Sequence, residues 1–146
     1  MTDYSDIIDR LEKADGPSRE LDSRVWVAAN PDDLIIENDQ HHGQGTVQFS
    51  GGGFARDRFK LCEMYTASLD AAIALTEKLL PEHGRMHSKG RLAIDEPLYG
   101  VKLYEHELCV GEDPHEIAEA EHDSEPIAIL IALFRALQAH GRTDNQ

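Results

Sequence analysis

The amino-acid sequence predicts one compact α+β domain, in which helices pack on a small, mostly antiparallel sheet. The first observation is the stretch Tyr65–Pro81, where apolar residues recur every three or four positions, as on one face of an α-helix. The second is Leu98–Val110, where apolar residues alternate with others, as in a half-buried strand. The third is the length of 146 residues, which suits one core, so we expect a single domain over residues 1–146.

Two short helices are expected near the amino terminus. Tyr4–Ala14 carries an apolar stripe, with Ser5 as its predicted cap, and ends at Gly16–Pro17. Ser18 can accept a backbone hydrogen bond at the start of a second helix, which Asn30–Pro31 ends. The two helices should form an antiparallel or angled pair.

The next segment predicts short strands and loops. Leu34–Glu37 and Thr46–Phe49 are β-like, and we expect them to pair as a hairpin with a long loop. The glycines of Ser50–Phe54 lack a Cβ, which predicts a mobile or tightly turned loop. The basic residues after it alternate as on one side of an extended strand: Arg56, Arg58 and Lys60.

The central helix is expected to begin after Ser68, its cap, and to end at Pro81. The polar segment Glu82–Gly90 then predicts a loop. Two strands should follow, Arg91–Asp95 and Leu98–Val110, separated by Glu96–Pro97. Gly111–Asp123 is interpreted as an acidic connector with a helical turn around Ile117.

A last helix is expected between Ser124, its cap, and Gly141, with Pro126 tolerated in the first turn. Its sequence is apolar nearly all round, so we expect burial against the sheet or, in part, at a subunit interface. Residues 141–146 should form a frayed tail.

Charge argues against nucleic acid as a partner. The formal net charge is −14, which disfavours general attraction to a polyanion. No lysine or arginine lies between Lys102 and Arg135, whereas nine acidic residues do: Glu105, Glu107, Glu112, Asp113, Glu116, Glu119, Glu121, Asp123 and Glu125. This acidic stretch is either a solvated surface or a surface that docks a basic protein patch or imitates nucleic-acid phosphates.

Cysteine usage and hydropathy favour the cytoplasm. Cys62 and Cys109 are too few for a disulfide framework, so we expect reduced thiols that are buried and inert. The first residues do not resemble a secretory signal, and the longest apolar run, Ile127–Phe134, is far shorter than the roughly 20 residues of a membrane span. We expect no membrane contact.

Three blocks of the sequence resemble the phage ABA sandwich domain, a family of small phage and prophage proteins. They are IIDRLEKADGPSRELD near the start, YTASLDAAIALTEKLLP in the middle and EPIAILIALFRALQAHG at the end. The resemblance implies an α-β-α sandwich and a phage-related origin, hence the cytoplasm of a bacterial host, but no activity, cofactor or catalytic residue. The insertion Pro31–Glu63 departs from short family members.

One candidate site is an anion-binding loop within that insertion. Backbone amides of Gly51, Gly52 and Gly53 can cradle a phosphate group while Arg56 and Arg58 clamp it. The loop is neither a P-loop nor a GxGxxG motif. The functional interpretation is a pocket for a small phosphorylated ligand or cyclic nucleotide, bound without turnover; the alternative is a flexible loop with solvated arginines.

Eight histidines suggest a metal hypothesis that the spacing supports only in part. His83 and His87 would share a face if their segment were helical, as would His115 and His122 with Glu119 between them. No HExxH motif or paired CxxC supplies further ligands, so we expect surface histidines and no metal. His41–His42 could bind a metal adventitiously. No GxSxG elbow or paired carboxylates indicate a catalytic residue.

These observations favour a non-enzymatic phage accessory protein that binds a host or phage protein and forms a homo-oligomer, with no cofactor. An alternative is an anti-defence protein that sequesters a cyclic nucleotide or an ADP-ribose-type immune signal. The third hypothesis is a metal-dependent hydrolase.

Overall fold

The computed structural model of the chain describes residues 3–31, 33–35, 46–48, 59–93, 96–106 and 115–144. Within these residues the chain forms four helices and six strands. The helices are α1 (Ser5–Glu12), α2 (Arg19–Ala29), α3 (Leu69–Leu79) and α4 (Glu125–Asp144). The strands are β1 (Leu34–Ile35), β2 (Thr46–Gln48), β3 (Phe59–Leu61), β4 (Gly84–Ala93), β5 (Glu96–Tyr104) and β6 (Glu116–His122).

Helix α4 lies at the centre of the hydrophobic core. It contacts strands β5 and β6 as well as helices α1 and α3. Every residue from Ile127 to Phe134 is at most 1% exposed. A helix that is covered on all sides must be apolar on all sides, which explains its sequence and confirms the predicted burial against a sheet. The fold of the single chain already covers this helix.

Two antiparallel sheets surround this core. The larger has the strand order β4-β5-β6, and its register places Val101 between His87 and Ala120. The smaller has the order β1-β2-β3 and contacts α2 through β1 and β2. The pairing of Ile35 with Val47 confirms the predicted hairpin. The α+β class, with a small antiparallel sheet packed against helices, is therefore confirmed.

Of the four predicted helix caps, Ser18 and Ser68 are present and Ser5 is not, and α4 begins directly after the fourth, Ser124. Ser18 Oγ accepts a hydrogen bond from the Leu21 N–H at 3.3 Å, and Ser68 Oγ accepts one from the Ala71 N–H at 3.2 Å. The prediction for Ser5 is wrong, because α1 follows Tyr4 and has no side-chain cap. Ser5 is instead the first helical residue, and its N–H donates to Asp3 Oδ1 at 2.9 Å.

Two segments predicted as irregular are strands. The predicted loop Glu82–Gly90 contains most of β4, and the predicted acidic connector contains β6 instead of a helical turn at Ile117. β4 is an edge strand whose residues 86–90 are exposed, so it lacks the apolar alternation of a half-buried strand. In β6 the inward positions hold small or polar residues, alanine at 118 and 120 and histidine at 122.

At the carboxyl terminus, α4 continues past Gly141 to Asp144, so the prediction that the helix ends before Gly141 is wrong. In the described part of the chain, no helix combines the length and the hydropathy needed to span a membrane.

Candidate functional site

The sequence-predicted anion loop lies outside the described residues, including Gly51, Gly52, Gly53, Arg56 and Arg58. The same holds for His41–His42 and Cys109. The hypothesis of a phosphorylated ligand therefore stays a prediction. The candidate site that the described residues do form lies where α3 ends.

The register of the larger sheet brings three chain segments together at one end. Gly84 pairs with Tyr104, and Tyr104 in turn pairs with Glu116. The residues that precede β4, follow β5 and precede β6 must therefore lie side by side. Two of these segments carry the same dipeptide, Glu82–His83 after α3 and Glu105–His106 after β5.

A pocket of about 360 Å³ opens at this end of the sheet. We call it the sheet-end pocket. Its walls combine apolar side chains from the end of α3 and the start of β6 with carboxylates and imidazoles: Leu79, Leu80, Pro81, Glu82, His83, Glu105, His106 and Ile117. An apolar wall with a few polar groups is typical of a small-ligand or side-chain pocket.

His83 is held in one orientation by two contacts. Its Nδ1 lies 2.5 Å from the Leu80 carbonyl oxygen, and its Nε2 lies 3.1 Å from Nη1 of Arg85. The carbonyl can only accept and the guanidinium can only donate, so Nδ1 carries the proton and Nε2 accepts. This arrangement is a neutral imidazole, which adds no positive charge to the pocket.

The two carboxylates of the pocket differ in their partners. Glu105 Oε2 lies 2.9 Å from Nδ1 of His115, whose side chain is 76% exposed, and the Glu105 N–H donates to the His115 carbonyl oxygen at 2.9 Å. Glu82 is exposed and forms no hydrogen bond or ion pair with any described residue. Among the described residues, therefore, Glu82 has no ion-pair partner and the partner of Glu105, His115, is at the surface.

Negative charge continues along the edge strand β6. Glu116, Glu119 and Glu121, here called the β6 carboxylates, are exposed and form no hydrogen bond or ion pair with described residues. Glu119 and Glu121 alternate with the buried Ala120 and His122, so they project from the sheet face opposite α4. β6 forms part of a negative surface that begins at the pocket.

Arg135, the first basic residue after the acidic stretch, does not neutralise the β6 carboxylates. Its Nη1 donates to the backbone carbonyl oxygen of Glu119 at 2.7 Å, and its Nη2 forms an ion pair with Glu12 of α1. The guanidinium therefore ties α4 to β6 and α1.

The histidines predicted to share helical faces do not do so. His87 is in β4 and His122 is in β6, and the described residues contain no group of three His, Cys, Asp or Glu side chains that could hold a metal. His122 is buried instead: its Nε2 contacts the Ala14 carbonyl oxygen at 3.0 Å, and its Nδ1 accepts from the Ser124 N–H at 2.9 Å. It joins the α1–α2 connection to the start of α4.

Opposing effects act on the pKa of His87. Burial lowers its pKa below the ordinary value of 6.5, and the Arg85 charge lowers it further, whereas Glu125, with Oε1 3.2 Å from Nδ1, opposes both. Glu125 is 30% exposed, so solvent screens its attraction, and the net direction is downward.

Residues of the first two blocks of the resemblance meet in a buried network. Asp22, which is 1% exposed, accepts hydrogen bonds at Oδ1 from the Thr66 N–H at 2.8 Å and from the Thr66 hydroxyl at 2.6 Å. Its Oδ2 accepts from Arg19 Nη1 at 2.7 Å, and Thr66 Oγ1 accepts from the Ser18 N–H at 2.9 Å. We call these four residues the Asp22 network. It joins the starts of α2 and α3.

Next to this network, Cys62 is buried and reduced. Burial raises the pKa of its thiol to about 11, although the Arg19 charge opposes the shift. Burial also raises the pKa of Tyr65 to about 12. A thiol that stays protonated is a poor nucleophile, in agreement with the predicted inert cysteine.

The sequence does not predict this pocket, because most of β4 lies in Glu82–Gly90, a polar segment that predicts a loop. The sequence contains three Glu-His dipeptides, Glu82–His83, Glu105–His106 and Glu121–His122, and nothing in it singles out the two that line the pocket. Only the pairing of Gly84 with Tyr104 makes the two dipeptides neighbours.

Comparison of the chain with protein-family models, with curated proteins and with solved structures finds no match. The resemblance to the phage ABA sandwich domain accordingly stays a prediction.

Proposed function

We propose that this protein is a non-enzymatic accessory protein of a phage or prophage, which binds a basic surface of a host or phage protein in the host cytoplasm. The observation that supports this most is the excess of negative charge along β6 and at the adjoining pocket, which Lys102, the register partner of Glu119, offsets by one charge. The β6 carboxylates are exposed and without ion pairs to described residues, and Glu82 and Glu105 lie in the adjoining pocket. Complementary charge steers a basic partner to such a surface and disfavours acidic ones.

The hydrophobic core does not depend on the β6 carboxylates, which leaves them available for binding. The core is provided by α4 and its neighbours, and the β6 carboxylates contribute no described hydrogen bond to it. Exposed like charges in proximity repel one another, so an acidic cluster costs some stability. A basic partner would relieve that repulsion.

The test is a quantitative capture of proteins from bacterial lysate by the purified, tagged chain. Three forms are compared: the wild type, the double variant Glu119→Lys/Glu121→Lys, and a matched control, Glu20→Lys/Glu63→Lys, which changes the net charge equally at exposed positions outside the larger sheet. We expect a set of basic proteins that the wild type and the control retain and the β6 variant loses.

Equal capture by all three forms, or equal loss in both variants, would contradict the proposal. Equal loss would mean that total charge, and not the region around β6, attracts the captured proteins.

A further inference from the structure

We infer that the sheet-end pocket binds an aliphatic cation, that is, an ammonium or guanidinium group on an apolar stem, as in the side chain of lysine or arginine. The inference rests on the proposed function and names the group of the basic partner that the pocket takes. Three features of the pocket carry it: its apolar wall, its carboxylates and the protonation of His83.

The apolar wall suits a methylene stem. Leu79, Leu80 and Ile117 are each half-buried, so part of their apolar surface faces the pocket and not the core. Covering such surface with a stem stabilises a complex by about 25 cal/mol per Å². The volume of about 360 Å³ accommodates one long side chain and lies near the lower end of ligand pockets.

The carboxylates supply the charge that a cationic head requires. Glu82 has no partner among described residues, and the His115 partner of Glu105 is an exposed side chain that a ligand can displace. A cation would give Glu82 its first partner. Because the head group is only partly desolvated at such a position, it need not lose all of its hydration.

The neighbouring basic groups do not cancel this charge. His83 is neutral in the observed hydrogen-bonding arrangement. Arg85 donates to His83 from outside the pocket lining, and its Nη1 also lies 3.8 Å from Glu77 Oε1. The pocket lining contains two carboxylates and no lysine or arginine among the described residues, which disfavours phosphate and other anions.

A metal ion is a weaker fit than an organic cation. The ring nitrogens of His83 are both engaged, and no three ligating side chains converge anywhere in the described residues. A transition metal needs three or four ligands at short distances, whereas an ammonium group is satisfied by a few oxygen acceptors.

The experiment is an NMR titration of the isotope-labelled full chain with blocked amino acids. The probes are N-acetyl-arginine methylamide and N-acetyl-lysine methylamide, and N-acetyl-norleucine methylamide is the neutral control. We expect saturable amide shifts at residues 79, 80, 82, 83, 105 and 106 with a millimolar Kd, as suits a single side chain. The neutral control should bind at least several-fold more weakly.

Two double variants that remove the same number of charges test whether the pocket carboxylates bind the cation. Glu82→Gln/Glu105→Gln should weaken arginine binding about 3- to 10-fold, because two ion pairs of modest strength are lost. Glu119→Gln/Glu121→Gln, which removes the same charge from the outer sheet face, should leave the Kd unchanged. Equal binding of the neutral control, or shifts confined to other residues, would overturn the inference.

A second arm compares two sources of the cation, a blocked tripeptide with arginine at its centre and free cadaverine. Tighter binding of the peptide supports a side chain of a protein partner, and binding of cadaverine alone would overturn that assignment. If lysate capture depends on β6 while no cation binds the pocket, the proposed function stands and the pocket inference fails.

Discussion

Two regions of this molecule use charged side chains in opposite ways. In the Asp22 network the carboxylate is 1% exposed, and both of its oxygens accept hydrogen bonds at 2.8 Å or less. In the sheet-end pocket and along β6, the carboxylates are exposed or half-exposed, and only Glu105 has a described partner. The first region satisfies its charge within the fold, and the second leaves it for a partner.

The difference explains why the most recognisable residues need not be the functional ones. Ser18, Arg19 and Asp22 belong to the first block of the resemblance, and Thr66 belongs to the second. Their hydrogen bonds fix the relative position of α2 and α3, which is a structural task. Substitutions can separate this task from binding.

The largest effect should come from Asp22→Ala. The change removes the acceptor of the Thr66 N–H and of Arg19 Nη1, although Arg19 Nη2 still donates to the Cys62 carbonyl oxygen, and Arg19 can turn only partly to water because it is 29% exposed. We expect the free energy of unfolding to fall by about 3 kcal/mol. Urea denaturation measures it, and Asp15→Ala, an exposed acid with no described partner, should change it by less than about 0.5 kcal/mol.

A smaller loss is expected for Thr66→Val. The side chain keeps its shape but loses the hydroxyl that donates to Asp22 and accepts from the Ser18 N–H. The expected cost is about 1–2 kcal/mol by urea denaturation, with Thr66→Ser closer to the wild type. A Val variant as stable as the wild type would show that the network is not a stabilising link.

The third effect depends on pH. The pKa of His87 is lowered in the folded state, so the unfolded chain takes up its proton first as the pH falls through 6.5. Folding stability should therefore decrease on acidification below that value and be fully recovered above it. Urea midpoints measured from pH 7.5 to 5.5 should show a shallower decrease for His87→Gln; an unchanged slope would mean that other groups dominate.

The smallest effect on stability is expected at β6. Glu119→Lys/Glu121→Lys moves the net charge from −14 to −10, since each reversal adds two charges. Both side chains are exposed and form no described ion pair, but the reversal at position 119 places a like charge opposite its register partner Lys102, so the free energy of unfolding should fall by less than about 1 kcal/mol. A larger loss would indicate that these residues have a structural task after all.

The sequence predicted those elements whose signals are local. Ser68, the apolar stripe after it and Pro81 define α3, and the all-round apolar character of α4 predicts its burial. The sequence does not predict β6 or most of β4, because an edge strand with exposed faces has no apolar alternation to detect. The bond between Thr66 and Asp22 is not predictable in this way, since nothing in the sequence shows that Asp22, 44 positions earlier, reaches Thr66.

The candidate site likewise depends on contacts between residues that are far apart in the sequence. The acidic composition of the stretch after Lys102 is visible in the sequence, but its convergence with Glu82 requires the strand register that pairs Gly84 with Tyr104. The predicted histidine pairs failed for a related reason, because their spacing indicates a shared face only in a helix.

In this account, the Asp22 network stabilises the fold and the sheet-end pocket binds a cation. The most direct test is the Kd of N-acetyl-arginine methylamide for two variants, Thr66→Val and Glu82→Gln/Glu105→Gln. The Kd is measured by NMR under conditions in which both variants are folded. The account predicts that Thr66→Val binds like the wild type despite its lower stability, whereas the glutamine variant binds about 3- to 10-fold more weakly at unchanged stability. Weakened binding by Thr66→Val together with wild-type binding by the glutamine variant would contradict it.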